Sequence, residues 1–208
     1  MTTKTSTIVP DHFTDFVSQA FDYQFDGVTS FNVPEFVPPS GSFKVGLIIG
    51  SSGSGKTTIL KEHYGHTEKT VEWDADKAIV SHFDTPEEAV EKCFAVGLGS
   101  IPTLCKPFHV LSNGEQYRAV MARSLGNNMI MDEFTSVVNR ETAKSLCVAM
   151  KKFILKKNIS GVVLASCHTD IVEFLDPDWV FDCNSGTFST KTKDISDTTK
   201  IAEVRWYV

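Results

Sequence analysis

Residues 43–58, FKVGLIIGSSGSGKTT, constrain the fold more than any other stretch. FKVGLII is a short apolar run of the kind that forms a strand buried on both faces of a parallel sheet. It runs straight into a glycine loop. Gly50, Gly53 and Gly55 let the backbone turn so that successive N–H groups face inward, and a helix expected from about Lys56 to Tyr64 adds its positive end. Ser51, Ser52, Ser54 and Thr58 complete this nest for the phosphates of a nucleotide. Lys56 is placed to reach the β- and γ-phosphates, and Thr57 to offer its hydroxyl to Mg²⁺. At average composition the pattern GxxxxGK[ST] arises in a chain of this length with a probability of roughly one per cent. A strand–loop–helix unit of this type requires an α/β sheet.

The remaining pattern agrees with a parallel sheet. Residues 128–131 and 161–167 read as further buried strands, and 77–83 (KAIVSHF) as another. TPEEAVEKCFAVG carries the marks of a capped helix: Thr85 as cap, Pro86 at the first position, Glu88 closing a capping box and Gly97 as stop. Residues 114–125 read as a helix ended by Gly126. In RETAKSLCVAMKKFILKKN, Ala143, Leu146, Cys147, Met150, Phe153 and Ile154 recur at helical spacing and form one apolar stripe. DWVFDCNSGTFST has the turn chemistry of a hairpin. Before residue 43, PDHFTDFVSQAF suits a short amphipathic helix, and the proline-broken aromatic stretch after it suits twisted edge strands and loops. The last residues, IAEVRWYV, have enough apolar character to dock as a strand.

Composition narrows the function. The 208 residues suit one domain, and no apolar run is long enough to cross a bilayer. No membrane insertion is therefore expected. The five cysteines show no metal-ligand spacing, which points to free thiols and a cytoplasmic location. A net charge of −6 argues against a broad nucleic-acid surface. The one local basic patch, Lys151, Lys152, Lys156 and Lys157, falls at a helix end, where cations complement the helix dipole.

Three further motifs follow the glycine loop in order. In MIMDEF an apolar strand delivers Asp132 and Glu133 at its C-terminal end, where open α/β sheets bind ligands. Asp132 is placed to hold Mg²⁺ through water, and Glu133 to act as general base on an attacking water. About twenty residues earlier, LSNGEQYRAVMARSL resembles the signature segment of ABC ATPases. Leu111, Ser112 and Gly114 match that pattern; Asn113 stands for a glycine and Glu115 for the glutamine. After MIMDEF, Phe134 replaces the family's proline, and Ser136, Val137, Val138 and Asn139 occupy the D-loop, with Asn139 in place of aspartate. VVLASCHTD resembles the family's switch segment, which makes His168 the residue that contacts the γ-phosphate.

The resemblance spans roughly 43–186, within a domain expected to cover 1–190; a polar linker and strand-like tail fill 191–208. It implies a P-loop NTPase fold, a RecA-like α/β core with a reduced helical lobe and an N-terminal antiparallel β lobe. It further implies ATP and Mg²⁺ as cofactors, Lys56, Glu133 and His168 as catalytic residues, and a homodimer in which Ser112, Asn113 and Gly114 face the other chain's nucleotide. The family's Q-loop glutamine is missing, with His82 or Asp84 as substitutes by position. Phe21, Tyr23 and Phe25 are candidates to stack on adenine. The short helical lobe argues against a transport subunit, and there is no heptad run for a coiled coil. The expected function is a stand-alone ATPase that drives or gates a protein or nucleic-acid partner. The alternatives are a nucleotide-sensing module with little turnover and a transporter subunit.

Overall fold

The structure, a computed structural model, describes residues 2–65 and 71–191. Its centre is a five-stranded sheet in the order β4-β5-β3-β6-β7. β3 (Val45–Ile49), β4 (Ile130–Met131), β5 (Val162–Ser166) and β6 (Trp179–Asp182) run parallel; β7 (Thr187–Thr190) closes the edge as an antiparallel hairpin with β6. Every residue of β3 and of β5 is buried, as continuous apolar runs dictate when both faces of a sheet are covered.

The strand period of two sorts the core into two clusters. Val45, Leu47, Ile49, Val162 and Leu164 pack with the helices α3 (Pro86–Ala95), α5 (Asn113–Ser124) and α6 (Arg140–Lys156). Ile48, Val163 and Ala165 face the other way, onto Ile59 and Leu60 of α2 (Lys56–Tyr64) and onto an aromatic group around Phe36, Trp179 and Phe181. On α6 the buried residues include all six of the anticipated stripe, Ala143 through Ile154.

Between α2 and α5 lies the reduced helical portion: a 3₁₀ turn (Ile79–His82), α3, the short α4 (Ile101–Leu104) and a second 3₁₀ turn (Phe108–Val110). Here 77–83 is corrected from the expected strand. The segment has no strand beside it; only Ala78 forms an isolated bridge, to Pro107, and Ile79 N–H donates to the Lys106 carbonyl. α3 is capped by Thr85 as expected, but the Glu88 carboxylate pairs with Lys92 one turn on. β4 is shorter than 128–131, because Asn128 takes a left-handed conformation and the ladder begins only at Ile130. A four-residue helix, α7 (Val172–Leu175), leads into β6.

The N-terminal part is a separate two-stranded antiparallel sheet of β1 (Thr2–Thr7) and β2 (Val28–Val33), joined by the helix α1 (His12–Ala20). The capping box at Asp11 and Thr14 starts α1, yet none of its residues is buried. Most of 191–208, including the expected C-terminal strand, lies outside the described residues.

All five cysteines are free thiols. In the lysine patch, Lys151 pairs with Asp176, and Lys156 and Lys157 both pair with Glu91. Those partners make it a compensated helix end, and among the described residues no helix is long and apolar enough to cross a membrane.

Candidate nucleotide site

Parallel strands in register end together, and that brings the candidate site residues to one edge. Ile49 of β3 is level with Ser166 of β5, and Met131 of β4 with Leu164 of β5. The strand carrying the glycine loop and the strand carrying Asp132 are therefore separated by one strand, and that strand delivers His168.

Gly50 through Gly55 form the loop that joins β3 to α2. Gly55 occupies the N-cap of α2 with φ +98°, a conformation that side chains disfavour. Its approach is also close: a Cβ there would lie 3.2 Å from Cζ of Phe31 on β2. Ser51 is tied to the β6–β7 turn, its N–H and hydroxyl both donating to Asn184 Oδ1 at 3.1 and 2.8 Å. Lys56 is only 4 % exposed. Its ammonium donates to the carbonyls of Gly50 and Ser51 at 2.9 and 2.8 Å. Among the described residues this buried cation has no carboxylate partner, an arrangement that favours an anionic ligand. The loop thus fits a nucleotide's phosphates.

The acidic end of β4 is bonded directly to the start of α2. The Thr57 hydroxyl donates to Asp132 Oδ2 at 2.5 Å, and Glu133 N–H donates to Asp132 Oδ1 at 2.9 Å. A hydroxyl and a carboxylate are hard oxygen donors of the kind that hold Mg²⁺ beside phosphates. Thr57 and Asp132 would hold that ion. Glu133 has φ +51° and its side chain is exposed, so the backbone turn lifts the carboxylate off the strand end. Its carbonyl accepts from the Tyr117 hydroxyl of α5 at 3.2 Å. The Tyr117 phenol is pushed well above its ordinary range by burial, and further by Glu133 and Asp132, so it stays a donor.

His168 is held by two hydroxyls that the sequence did not single out. Its Nδ1 lies 3.0 Å from Thr135 Oγ1, and its N–H donates to Ser166 Oγ at 3.0 Å. Thr135 and Ser166 are wholly buried and 3.2 Å apart. Thr135 has φ +74°, an outlier for a β-branched residue. Burial, together with Arg140 nearby, lowers the pKa of His168, with Glu133 opposing. That shift favours the neutral ring, in which one nitrogen donates and the other accepts.

The signature-like residues sit apart from this cluster. Ser112 caps α5, but its hydroxyl donates to Glu115 Oε2 at 2.7 Å and its N–H to the same oxygen at 2.9 Å; Thr103 donates to Oε1 at 3.0 Å. The two Ser112 groups, with Thr103 adding to them, hold the Glu115 carboxyl below the usual carboxylate range. Asn113 begins α5, and Gly114 lies against the D-loop, where a Cβ would be 3.5 Å from the Val137 carbonyl oxygen. Among the described residues no hydrogen bond joins Ser112, Asn113 or Gly114 to the glycine loop.

His82 is committed elsewhere. Its Nε2 accepts from Asp74 N–H and its Nδ1 donates to the Ala78 carbonyl, both at 2.9 Å, and its ring packs edge-on against Trp73. Asp84 is exposed, and among the described residues its side chain makes no hydrogen bond or ion pair. Phe21 and Tyr23 project from the end of the N-terminal helix, and Tyr23 and Phe25 line a cavity of that unit. Among the described residues, Phe31 is an aromatic ring that lies close to the glycine loop.

With this geometry in hand, the comparisons decide the family. The family model described as "TniB: Bacterial TniB protein" matches residues 35–178, more than half of the chain. The chain belongs to the TniB family. Among solved structures, this TniB-family chain is similar to the dimeric structure of MJ0796, a bacterial ABC transporter cassette. The TM-score is 0.52 at 15 % identity, over 76 % of this chain and 88 % of that one. At that identity the likeness shows the fold, and the fold is that of a P-loop NTPase. No curated protein matches the chain.

Proposed function

We propose that this TniB-family protein is a Mg²⁺-dependent ATPase of the ABC type, working as an ATP-sandwiched homodimer that drives or gates a partner process. The observation that carries the reading is the cluster at the strand ends: buried Lys56, Thr57 bonded to Asp132, exposed Glu133 and His168 fixed by Thr135. When bound, ATP supplies the phosphoryl group and Mg²⁺ the neutralisation of its charge. Lys56 turns from the Gly50 and Ser51 carbonyls to the phosphates. Thr57 and Asp132 orient the ion. Glu133 accepts a proton from the attacking water, while His168 contacts the γ-phosphate. Ser112 and Gly114, which among the described residues form no hydrogen bond to the loop of their own chain, would serve the nucleotide of a second chain. The dimeric state of the similar cassette supports that arrangement.

Mixing inactive variants tests the shared site. Ser112→Arg and Lys56→Ala are each expected to abolish turnover. An equimolar mixture should regain phosphate release, because an intact glycine loop on one chain then meets an intact signature on the other. Full turnover by Ser112→Arg alone, or a mixture as dead as its parts, would refute the shared site.

Thr135 is assigned as a positioning residue for His168. Thr135→Val keeps the shape and removes the hydroxyl, leaving Nδ1 without its partner, a loss worth about 1–3 kcal/mol. The expected result is a fall in kcat of about tenfold with KM for ATP unchanged, and recovery in Thr135→Ser. A change in KM alone would argue against it.

One observation favours a second reading, a nucleotide-sensing module with little turnover. The Ser112 hydroxyl, which the sandwich would point at a γ-phosphate, is already donated to the Glu115 carboxylate. Single-turnover hydrolysis separates the two: phosphate release within one binding event supports the ATPase, and bound ATP that persists supports the sensor.

A further inference from the structure

The N-terminal unit carries an apolar surface that the other described residues leave exposed. On α1, Phe13, Phe16, Val17 and the cap residue Phe21 follow helical spacing and make a single stripe. A stripe of this kind ordinarily faces a core. Here Phe13, Phe16 and Phe21 are 69, 71 and 77 % exposed, and Ile8, Val9 and Tyr23 beside them are more than half exposed. Beneath the stripe is an apolar cavity of about 320 Å³, lined by Ile8, Phe13, Val17, Tyr23 and Phe25 among others. That volume lies at the lower end of the range for small ligand pockets, about 300–1,000 Å³, and suits inserted side chains. Contiguous apolar surface rimmed by polar groups marks an interaction site, unlike single scattered residues.

Charge selects the occupant. Residues 8–27 contain Asp11, Asp15, Asp22 and Asp26 and no lysine or arginine. Asp11 accepts from the N–H groups of Phe13 and Thr14, and Asp26 from that of Val28, so two of the carboxylates are fixed at the rim. Such a rim repels nucleic acid and anionic lipid. Two copies meeting through this face would bring like charges together. A segment with apolar side chains along one side and lysine or arginine on its flanks satisfies both the stripe and the rim.

We infer that α1 and its cavity are the docking site for a basic amphipathic helix of a partner protein. The site is coupled to the nucleotide loop by short connections. β1 reaches α2 through the Lys4–Glu62 ion pair, and Phe31 of β2 packs on Gly55. The unit precedes the 35–178 stretch shared with the family. A partner held there is linked to the glycine loop through β1 and β2.

The test uses the full chain without nucleotide, so its outcome is independent of ATP turnover. Fluorescence anisotropy is read with a labelled sixteen-residue leucine/lysine amphipathic peptide and with its leucine/glutamate counterpart. The lysine peptide is expected to bind at least tenfold more tightly, and to weaken tenfold or more in Phe13→Ser/Phe16→Ser. Those side chains are exposed, so folding should survive, and the thermal melt checks this. Asp15→Asn/Asp22→Asn, which touches no packing, should weaken binding at least threefold and flatten its salt dependence. Equal affinity for both peptides, or affinity unchanged in both double variants, would overturn the assignment. So would concentration-dependent self-association, or binding to phosphatidylglycerol vesicles, lost in Phe13→Ser/Phe16→Ser while peptide binding persists. Tighter peptide binding by a chain shortened to 1–191 would assign the surface to the chain's own tail and overturn it as well.

Discussion

Replacing Glu133 with glutamine should slow phosphate release by about 10²- to 10⁴-fold, the range a positioned general base contributes, while ATP binding stays intact. Glutamine has nearly the same shape and keeps an oxygen at the same place, but it cannot take a proton from water. The backbone that aims this side chain is untouched by the change. Asp132 Oδ1 accepts the residue-133 N–H, the Tyr117 hydroxyl donates to its carbonyl, and Phe134 N–H donates to Ala165. Lys56, Thr57 and Asp132, the residues proposed to hold the nucleotide and its ion, are unchanged in the variant. In the sandwich mechanism the variant should accumulate as a dimer in ATP and Mg²⁺. Sedimentation velocity reads the dimer, and steady-state phosphate release reads the chemistry. A Glu133→Gln protein that stays monomeric in ATP and Mg²⁺ would sink the sandwich, and one that hydrolyses at the wild-type rate would sink the base assignment.

Gly46→Ala should destabilise the fold by about 1–3 kcal/mol or somewhat more, the range for overpacking a filled core. At roughly 2–4 °C per kcal/mol for a domain of this size, Tm should fall by about 2–12 °C. Gly46 lies in the middle strand, level with Trp179 on β6, and a Cβ there would come within 2.0 Å of Trp179 Cζ2. The indole cannot step aside. It is 2 % exposed, with Phe43, Phe36 and Phe188 centred 5.5, 5.9 and 5.6 Å away and Tyr64 stacked at 6.4 Å. The same strand feeds the glycine loop, so a displaced β3 should also weaken ATP binding. Trp179→Phe placed with Gly46→Ala should restore part of the loss, because contacting residues are not additive. A Tm within about 1 °C of the parent would show that the aromatic group yields more readily than its packing implies.

Much of the architecture was legible because local patterns carried it. The stripe on α6 is a helical period written in six residues, and the tertiary fold buries all six. The glycine loop, the strand before it and the helix after it follow from residue types that tolerate few alternatives. What failed did so where neighbours decide. KAIVSHF has the composition of a strand, but the sheet has no position for it. His82, in the 3₁₀ turn that forms there, spends both ring nitrogens on nearby backbone. A threonine in a turn carries no signal in the sequence, and Thr135 shows none. Its buried hydroxyl and positive φ acquire meaning only once β5 places His168 beside it.

The sequence by itself determined that a phosphate-binding loop precedes an acidic strand end within a parallel α/β sheet. Those motifs are short-range, and their chemistry resides in side chains a few residues apart. Only the tertiary structure decided which strand stands between the loop and the acids, that Phe31 lies close to Gly55, and that the stripe on α1 faces outward. Each of these depends on contacts between residues distant in sequence or on what the fold leaves uncovered, and neither is encoded in a local pattern.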